Sequence, residues 1–209
     1  MEPDHGRSAD RLVTFTDAVV AIAITLLALP LADVPREFAS GGLERVLEEG
    51  ALPLLAFTIS FFVIARLWWA HHRIFEHVVR WDGPLVVLTL AWLFTIVLLS
   101  PVTALTGVSP PGEEPGPLAI YIGLMTVSSA LLSALAWHIR RRPALTDGHD
   151  ADAGRRLAGS VETTVGFLLA LVIGTAFPGI NYFALFVLVL TGRLSRLVQR
   201  RRERRLNIR

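Results

Sequence analysis

Two polar groups in the sequence have residue types and spacing that could do chemistry. The first, "RLVTFTD" at residues 11–17, places Arg11, Thr16 and Asp17 at the mouth of an apolar run. A carboxylate near a membrane boundary needs a partner, which Arg11, Thr16 or a basic or imidazole group from another segment could provide. We therefore interpret this group as a clasp that fixes the first apolar helix against its neighbours.

The second group, "HHRIFEH" at residues 71–77, has three competing uses. His72, Glu76 and His77 could bind a metal, although a single helix supplies these ligands and the sequence holds no second cluster. The tryptophan pair just before them is typical of residues that anchor a helix at the membrane interface. A hydrogen bond from His71 or His72 to the clasp would make that contact sensitive to pH, because imidazole titrates near neutrality.

The elements that position both groups are predicted to be membrane helices. Of the 209 residues, 53% are hydrophobic and 18% are charged, a balance that a soluble domain of this size does not need. The chain has no cysteine, which excludes disulfides, thiolate nucleophiles and cysteine-ligated zinc or iron–sulfur sites. We expect an all-α integral membrane protein.

Apolar stretches of about 20 residues, the length that crosses a hydrocarbon core, recur six times. They predict one transmembrane domain over residues 1–209, with spans near 12–31, 51–72, 84–106, 118–139, 161–178 and 180–198 and a basic tail over 199–209. The first stretch could instead be a secretory signal, because "LALPLAD" offers small residues near a cleavage point. Its long run and its leader of mixed charge favour a retained helix.

Arginine placement orients this bundle. All 20 lysine and arginine positions are arginines, and with both termini in the cytoplasm the predicted outer segments hold Arg36 and Arg45 alone. The positive-inside rule therefore predicts cytoplasmic termini. The run "RRRERR" at residues 200–205 could contact nucleic acid, but it follows an apolar segment, where anchoring at the membrane surface is usual. We expect a lipid bilayer and no nucleic acid as partner.

The first span carries two stripes at helical spacing. Ile22, Leu26 and Leu29 form a narrow aliphatic stripe, which Phe15 extends, and beside it lies a stripe of small residues: Ala18, Ala21, Thr25 and Ala28. In one interpretation the aliphatic stripe faces lipid and the small stripe packs against a neighbouring helix. In the other, copies of the helix surround a symmetry axis, and the aliphatic rings form hydrophobic constrictions with the Thr25 hydroxyls nearby.

A short segment at residues 163–167, "TTVGF", looks like the start of the TVGYG filter loop of ordinary potassium channels. Leu168 stands where the loop needs its second glycine, and the segment lies inside a continuous apolar run. We interpret it as helix, with Gly166 as a small packing residue.

The motifs of the first two spans resemble a known family. Arg11, Phe15, Thr16 and Asp17, followed by "AVVAIAITLLAL", are similar to the Arg-x-x-x-Phe-Ser-Asp signature of the endosomal and lysosomal potassium channels of the transmembrane protein 175 type, in their bacterial form. "WWAHH" at residues 68–72 resembles the Trp-x-x-His-His element of that family. Position 16 departs from the signature, since threonine stands there in place of serine. Thr16 keeps the hydroxyl of serine and adds a β-branch.

The resemblance implies a homotetramer of six-helix subunits in the bacterial inner membrane, with the first helices lining a central pore. By position, Ile22, Leu26 and Leu29 match the residues that constrict the pore, and Thr25 matches a hydroxyl linked to potassium preference. The residues that match the packing network around the pore helix are Arg11, Phe15, Thr16, Asp17, Trp68, His71 and His72. The permeant ion would be potassium, and no cofactor is implied.

The function expected from this sequence is a potassium-permeable cation channel without a TVGYG filter. A secondary transporter or a proton-conducting membrane protein is the alternative; a transporter usually shows ionisable residues at the midplane of its spans or broken helices. An enzyme is not expected, because the histidines at 71–77 alone could form a reactive cluster and they lack convergent partners in the sequence.

Overall fold

The computed structural model describes residues 6–33, 35–36, 38–39, 42–44, 50–108, 115–148 and 153–176. Its long helices are α1 (Gly6–Leu26), α2 (Ala51–Phe75), α3 (Gly83–Val108), α4 (Pro115–Arg141) and α5 (Ala153–Ala176). Short 3₁₀ turns lie at Leu29–Asp33 and Pro143–Leu145. The chain is therefore an α-helical protein over the residues described.

Four segments are long and apolar enough to cross a bilayer: Ala9–Ala32, Ala51–Phe75, Gly83–Thr106 and Gly116–Arg141. They overlap the first four predicted spans. The fifth predicted span, 161–178, falls mostly within α5, which begins eight residues earlier because its polar first turns are also helical. The sixth predicted span, 180–198, and the tail over 199–209 lie outside the described residues.

The end of α1 departs from the continuous helix that the stripe pattern assumes. The α-helix stops at Leu26, and Leu29 begins the 3₁₀ turn. Pro30 explains this difference, because proline has no N–H to donate to the carbonyl four residues earlier and disfavours helical geometry in the residue before it. Leu29 thus extends the aliphatic stripe from a turn rather than from the α-helix itself.

The core lies between α3 and α4, with α2 and α1 against α3 and with α5 against α4. Its largest fully buried side chains include Trp92 and Leu99 of α3 and Met125 of α4. A buried hydroxyl cluster links three helices: Ser60 of α2 lies 2.8 Å from the Tyr121 hydroxyl of α4, and Thr103 of α3 donates to Ser60 at 2.8 Å. These three hydroxyls satisfy one another and join α2, α3 and α4 by side-chain hydrogen bonds.

Candidate functional site

One side of α1 is exposed in the part of the subunit that the structure describes. The exposed fractions are 51% for Phe15, 58% for Ile22, 43% for Leu26 and 65% for Leu29. The small stripe shares this side, because Ala18, Ala21, Thr25 and Ala28 are also exposed. We call these eight residues the exposed arc of α1. Both stripes predicted from the sequence therefore face away from the described helices α2 to α5.

The opposite side of α1 is buried against α3 and α2. Its fully buried residues follow helical periodicity: Ala9, Thr16, Val20, Ala23 and Leu27. The small stripe therefore does not pack against the helices that the structure describes. Because α1 is apolar around most of its circumference, periodicity alone does not predict which side packs. The fully buried residues named above, rather than the small stripe, fill the space next to α3.

The partner of Asp17 is a tryptophan. The indole Nε1–H of Trp68, on α2, donates to Oδ1 of Asp17 at 2.7 Å, where the carboxylate is half-buried. A donor at this distance offsets part of the cost of burying a charge near the membrane boundary. The sequence suggested a basic group, Thr16 or an imidazole for this role, so Trp68 does more than anchor the interface.

Of the two other candidate partners of Asp17 within α1, one hydrogen-bonds to a different residue and the other lies apart from the carboxylate. Thr16 is fully buried and donates its hydroxyl to the Leu12 carbonyl at 2.8 Å, one turn back along α1. Arg11 is exposed and forms no ion pair with Asp17 in the part of the chain described. The predicted network is thus joined at Asp17 and Trp68, while Arg11 and Phe15 lie on the outward side of α1.

His71 and His72 occupy different environments and neither reaches Asp17. His71 is buried between two rings, with its centroid 4.4 Å from Phe75 and 4.4 Å from Trp92, and the Trp92 ring is nearly parallel to it at 7°. Both of its ring nitrogens lack a hydrogen-bond partner among the described residues. His72 is exposed and lies 5.7 Å from the Trp68 ring. The imidazole contact with the clasp is therefore absent from the described subunit.

The possible metal ligands at and just after the end of α2 bond to separate partners. Glu76 pairs with Arg156 of α5 at 3.3 Å, and His77 pairs with Asp147 at 3.3 Å. No group of three or more His, Cys, Asp or Glu residues within the described ranges could hold a metal ion. These side chains instead join the end of α2 to the elements after α4.

A contact between α3 and α1 was missed by the sequence analysis. Ser100 is buried on α3, and its hydroxyl donates to the Ala23 carbonyl of α1 at 2.8 Å. That carbonyl also accepts the Leu27 amide at 3.1 Å, so the serine adds a second bond on the buried side of α1. The sequence signal was a serine next to Pro101 in the middle of an apolar span, where a hydroxyl needs a partner.

Comparison with known proteins connects this geometry to a family. The family model described as endosomal/lysosomal potassium channel TMEM175 matches residues 11–100, which include most of α1, all of α2 and most of α3. A protein named potassium channel from Streptomyces collinus is 33% identical over 171 residues, covering 80% of this chain and 82% of the relative. The endosomal/lysosomal proton channel TMEM175 of Rattus norvegicus is 29% identical over 140 residues, covering 63% of this chain and 27% of the rat protein.

The fold has a solved counterpart as well. The crystal structure of a lysosomal potassium-selective channel TMEM175 homolog from Chamaesiphon minutus aligns with a TM-score of 0.74 and 25% identity. The alignment covers 90% of this chain and 98% of that structure's chain, so the likeness extends well beyond the first three helices. Taken with the identity and coverage of the Streptomyces relative, it shows that this chain belongs to the TMEM175 channel family.

Proposed function

We propose that this protein is a potassium-permeable cation channel, without enzymatic activity, in which four copies place the exposed arc of α1 around a central path. The observation that carries the proposal is that one side of α1 is packed on its own subunit while the aliphatic side is left uncovered. An apolar span needs only lipid on such a side, but the family's channel function favours a path there. The bacterial relatives named potassium channels support potassium as the permeant ion.

Rings of aliphatic side chains would form the constriction. Ile22 and Leu26 are on the exposed side of α1, and Leu29 follows from the 3₁₀ turn. Four copies of each would narrow the path with apolar surface, and such constrictions gate by excluding water. This arrangement requires no TVGYG loop, because the constriction comes from side chains rather than from a ring of backbone carbonyls.

Thr25 has a geometry that suits a cation. Its hydroxyl donates to the Ile22 carbonyl at 2.7 Å within α1, and the side chain is exposed. Since the single hydroxyl hydrogen is used inside the helix, the oxygen lone pairs remain as acceptors. Four such oxygens would present partial negative charge to a passing ion, which is the role proposed for Thr25 in potassium preference.

The small residues of the exposed arc would bring the subunits together. Ala18, Ala21 and Ala28 lie beside the aliphatic stripe and leave room for a neighbouring helix to approach closely. We infer a homotetramer in the bacterial inner membrane, with six spans per subunit and both termini in the cytoplasm. The arginine distribution supports this orientation, and the sixth span would lie near 180–198.

Proton conduction is the second candidate function. The animal relatives are named endosomal/lysosomal proton channels, and the rat, mouse and human proteins match about two thirds of this chain. A hydrophobic constriction that admits water transiently could pass protons as well as cations. The two candidates share one path and differ in the ion that carries the current.

Flux from liposomes separates these candidates. The purified full chain, shown to be folded and of defined oligomeric mass, would be tested with outward potassium, then sodium, then proton gradients against empty vesicles. Potassium flux above sodium flux supports the proposal, and proton flux without potassium flux selects the second candidate. A folded tetramer with no flux for any of the three ions would contradict both.

A further inference from the structure

One side of α4 is apolar and exposed along most of the helix. Ile120 and Val127 on this side are 56% and 51% exposed, and Ala130 follows them at helical spacing. The buried residues Met125 and Leu132 lie on the other side of α4, in the core. Because α4 is long and apolar enough to cross a bilayer, its exposed side is suited to contact with acyl chains in the part of the chain that the structure describes.

The exposed side of α4 ends in a tryptophan and two arginines. Trp137 is 47% exposed, and the guanidinium of Arg141, one turn later, lies 4.3 Å from the centre of its ring. Arg140 is exposed on the other flank of Trp137, because positions 137, 140 and 141 project within about 100° of one another on a helix. Contact with the indole restricts the long side chain of Arg141 and holds its charge at the level of the ring.

The next arginine, Arg142, adds its charge near a carboxylate of the protein itself. Partial burial acts to raise the pKa of that carboxylate, Asp82, but the Leu85 amide at 2.9 Å, the His138 ring and the positive charge of Arg142 outweigh it and lower the pKa below its usual range. Asp82 is therefore ionised at neutral pH and offsets the charge of Arg142. An external anion would thus gain less from Arg142 than from the two arginines before it.

The charges of Arg140 and Arg141 are not offset in this way. Neither side chain forms an ion pair with any residue that the structure describes. Glu76 and Asp147, at the same end of the bundle, are paired with side chains of other segments. The end of α4 therefore presents two permanent positive charges beside an exposed indole, directly above an apolar surface.

An anionic phospholipid matches this arrangement in both charge and shape. Guanidinium groups bind phosphate oxygens through paired N–H donors, and an indole is favoured at the level of the headgroups. A headgroup with a net negative charge complements two arginines, whereas a zwitterionic headgroup brings an ammonium group that they repel. The acyl chains would run along the apolar side of α4 below the indole.

We propose that Trp137, Arg140 and Arg141 form a binding site for the headgroup of an anionic phospholipid. The lipid lies in the leaflet at the arginine-rich end of the bundle, where α2 and α4 end, and its acyl chains contact the exposed side of α4. The arginines bind the phosphate, and the indole holds Arg141 in position.

The lipid site lies apart from the exposed arc of α1. α1 packs against α2 and α3, whereas α4 packs chiefly against α3 and α5. A bound lipid would therefore contact the outer side of the subunit and not the proposed ion path. The lipid site does not depend on the proposed channel function, and either proposal can fail without the other.

Quenching of a fluorophore by brominated lipids tests the site in a membrane. The chain has no cysteine, so Ala130→Cys carries a single fluorophore two turns before Trp137, about 10 Å deeper in the bilayer. The labelled full chain would be reconstituted with equal mole fractions of brominated phosphatidylglycerol or brominated phosphatidylcholine. Phosphatidylglycerol should quench the fluorophore more strongly. Equal quenching by the two lipids would overturn the proposal.

Variants with the same loss of charge separate a defined site from general attraction to the membrane surface. The double variant Arg140→Gln with Arg141→Gln should lose the preference for phosphatidylglycerol, because each arginine near an anionic surface strengthens binding about fivefold. Arg73→Gln with Arg80→Gln removes two exposed arginines from the same end of the bundle and should keep the preference. A preference that survives the first double variant, or that is lost in both, would overturn the proposal.

Two further measurements identify the bound group. Trp137→Leu keeps both arginines but removes the ring that holds Arg141, so it should weaken the preference without abolishing it. Inorganic phosphate in excess over the lipid should leave the preference of the wild-type chain unchanged. An undiminished preference in Trp137→Leu would contradict the site as described, and displacement by phosphate would assign it to a free anion and overturn the lipid proposal.

Discussion

α1 and α3 are almost equally apolar but are buried to very different extents. Their most apolar 18-residue stretches have mean hydropathies of 2.3 and 2.4, yet 22% of that stretch is buried in α1 and 44% in α3. α3 packs against α1, α2 and α4, whereas one side of α1 has no neighbour among the helices described. Two helices of nearly equal hydropathy thus have different roles. α3 lies in the core, and α1 has a surface that lipid or other subunits must cover.

Their hydroxyl groups differ in the same way. The five serine and threonine residues of α3 that are buried are Thr89, Thr95, Ser100, Thr103 and Thr106. In α1, Thr14 and Thr25 are exposed and bond back to their own helix. Two of these, Ser100 and Thr103, donate to another helix, and the other three bond back to α3 itself. The exposed Thr25 of α1 instead lies on the side that faces whatever surrounds the exposed arc.

The sharpest test of this comparison truncates one leucine on each helix. Leu99→Ala on α3 removes a fully buried side chain and should lower the free energy of unfolding by about 2–5 kcal/mol. Leu26→Ala on α1 removes a side chain that is 43% exposed, so it should cost far less stability. It should instead raise leak or weaken ion selectivity by widening the constriction. Denaturant unfolding in detergent and liposome flux measure the two effects.

Equal stability losses in Leu99→Ala and Leu26→Ala, with flux unchanged by Leu26→Ala, would contradict the distinction between α3 and α1. Ile22→Ala is a second test on the exposed arc and should behave like Leu26→Ala.

The next effect in size concerns the bond between α2 and α1. Trp68→Phe removes the indole donor and leaves the half-buried Asp17 carboxylate without it, which should cost about 1–3 kcal/mol of unfolding free energy. The matched control is Trp69→Phe, at the adjacent exposed position. A thermal shift in detergent should separate the two variants. Equal shifts would mean that the Asp17 bond contributes no more than any tryptophan of this pair.

A smaller loss of stability is expected from a substitution at the N-terminus of α3. Asp82→Ala removes the side chain that accepts the Leu85 amide, with an expected loss of about 1 kcal/mol. The pKa of Asp82 is lowered in the fold. Its contribution to the free energy of unfolding is therefore fully present above the ordinary aspartate pKa of about 4, and it is lost as the pH falls through the lowered pKa. The stability difference from wild type should therefore shrink on strong acidification. A difference that grows instead would contradict this sign.

The smallest expected effect lies at the contact between α1 and α3 themselves. Ser100→Ala deletes the hydroxyl that donates to the Ala23 carbonyl, and bonds of this kind between membrane helices average about 0.6 kcal/mol. Hydrogen exchange should quicken in α1. Thr95→Val is the control, because Thr95 bonds to Trp92 of its own helix and should leave α1 unchanged. If the amides of α1 exchanged faster in both variants, the effect would not come from the hydrogen bond of Ser100.

Features set by local properties of the chain could be predicted from its sequence. The apolar lengths located four segments long enough to span a bilayer, and the family motif at Arg11 to Asp17 pointed to the family that the comparisons establish. The spacing of Ile22 and Leu26 placed them on one side of α1. Each of these inferences needs only helical periodicity or residue order.

Features set by the rotation of one helix against another were not predictable. The sequence placed Trp68, His71 and His72 within about one turn of α2, but it did not fix how α2 is rotated against α1 and so left open which of them meets Asp17. It also gave no reason to expect Val20 and Leu27, rather than the small residues, to pack against α3. Pro30 could have marked the end of α1, since the proline rule is local, and the stripe analysis overlooked it.

The central claim, that the exposed arc of α1 lines the ion path, is tested most directly by thiol modification. The chain has no cysteine, so Ile22→Cys on the exposed arc and Val20→Cys on the buried side of the same helix each introduce a single target. With flux first established for both variants, a small membrane-impermeant thiol reagent should block potassium flux through Ile22→Cys and leave Val20→Cys unaffected. Block of Val20→Cys alone, or of neither variant, would contradict the account.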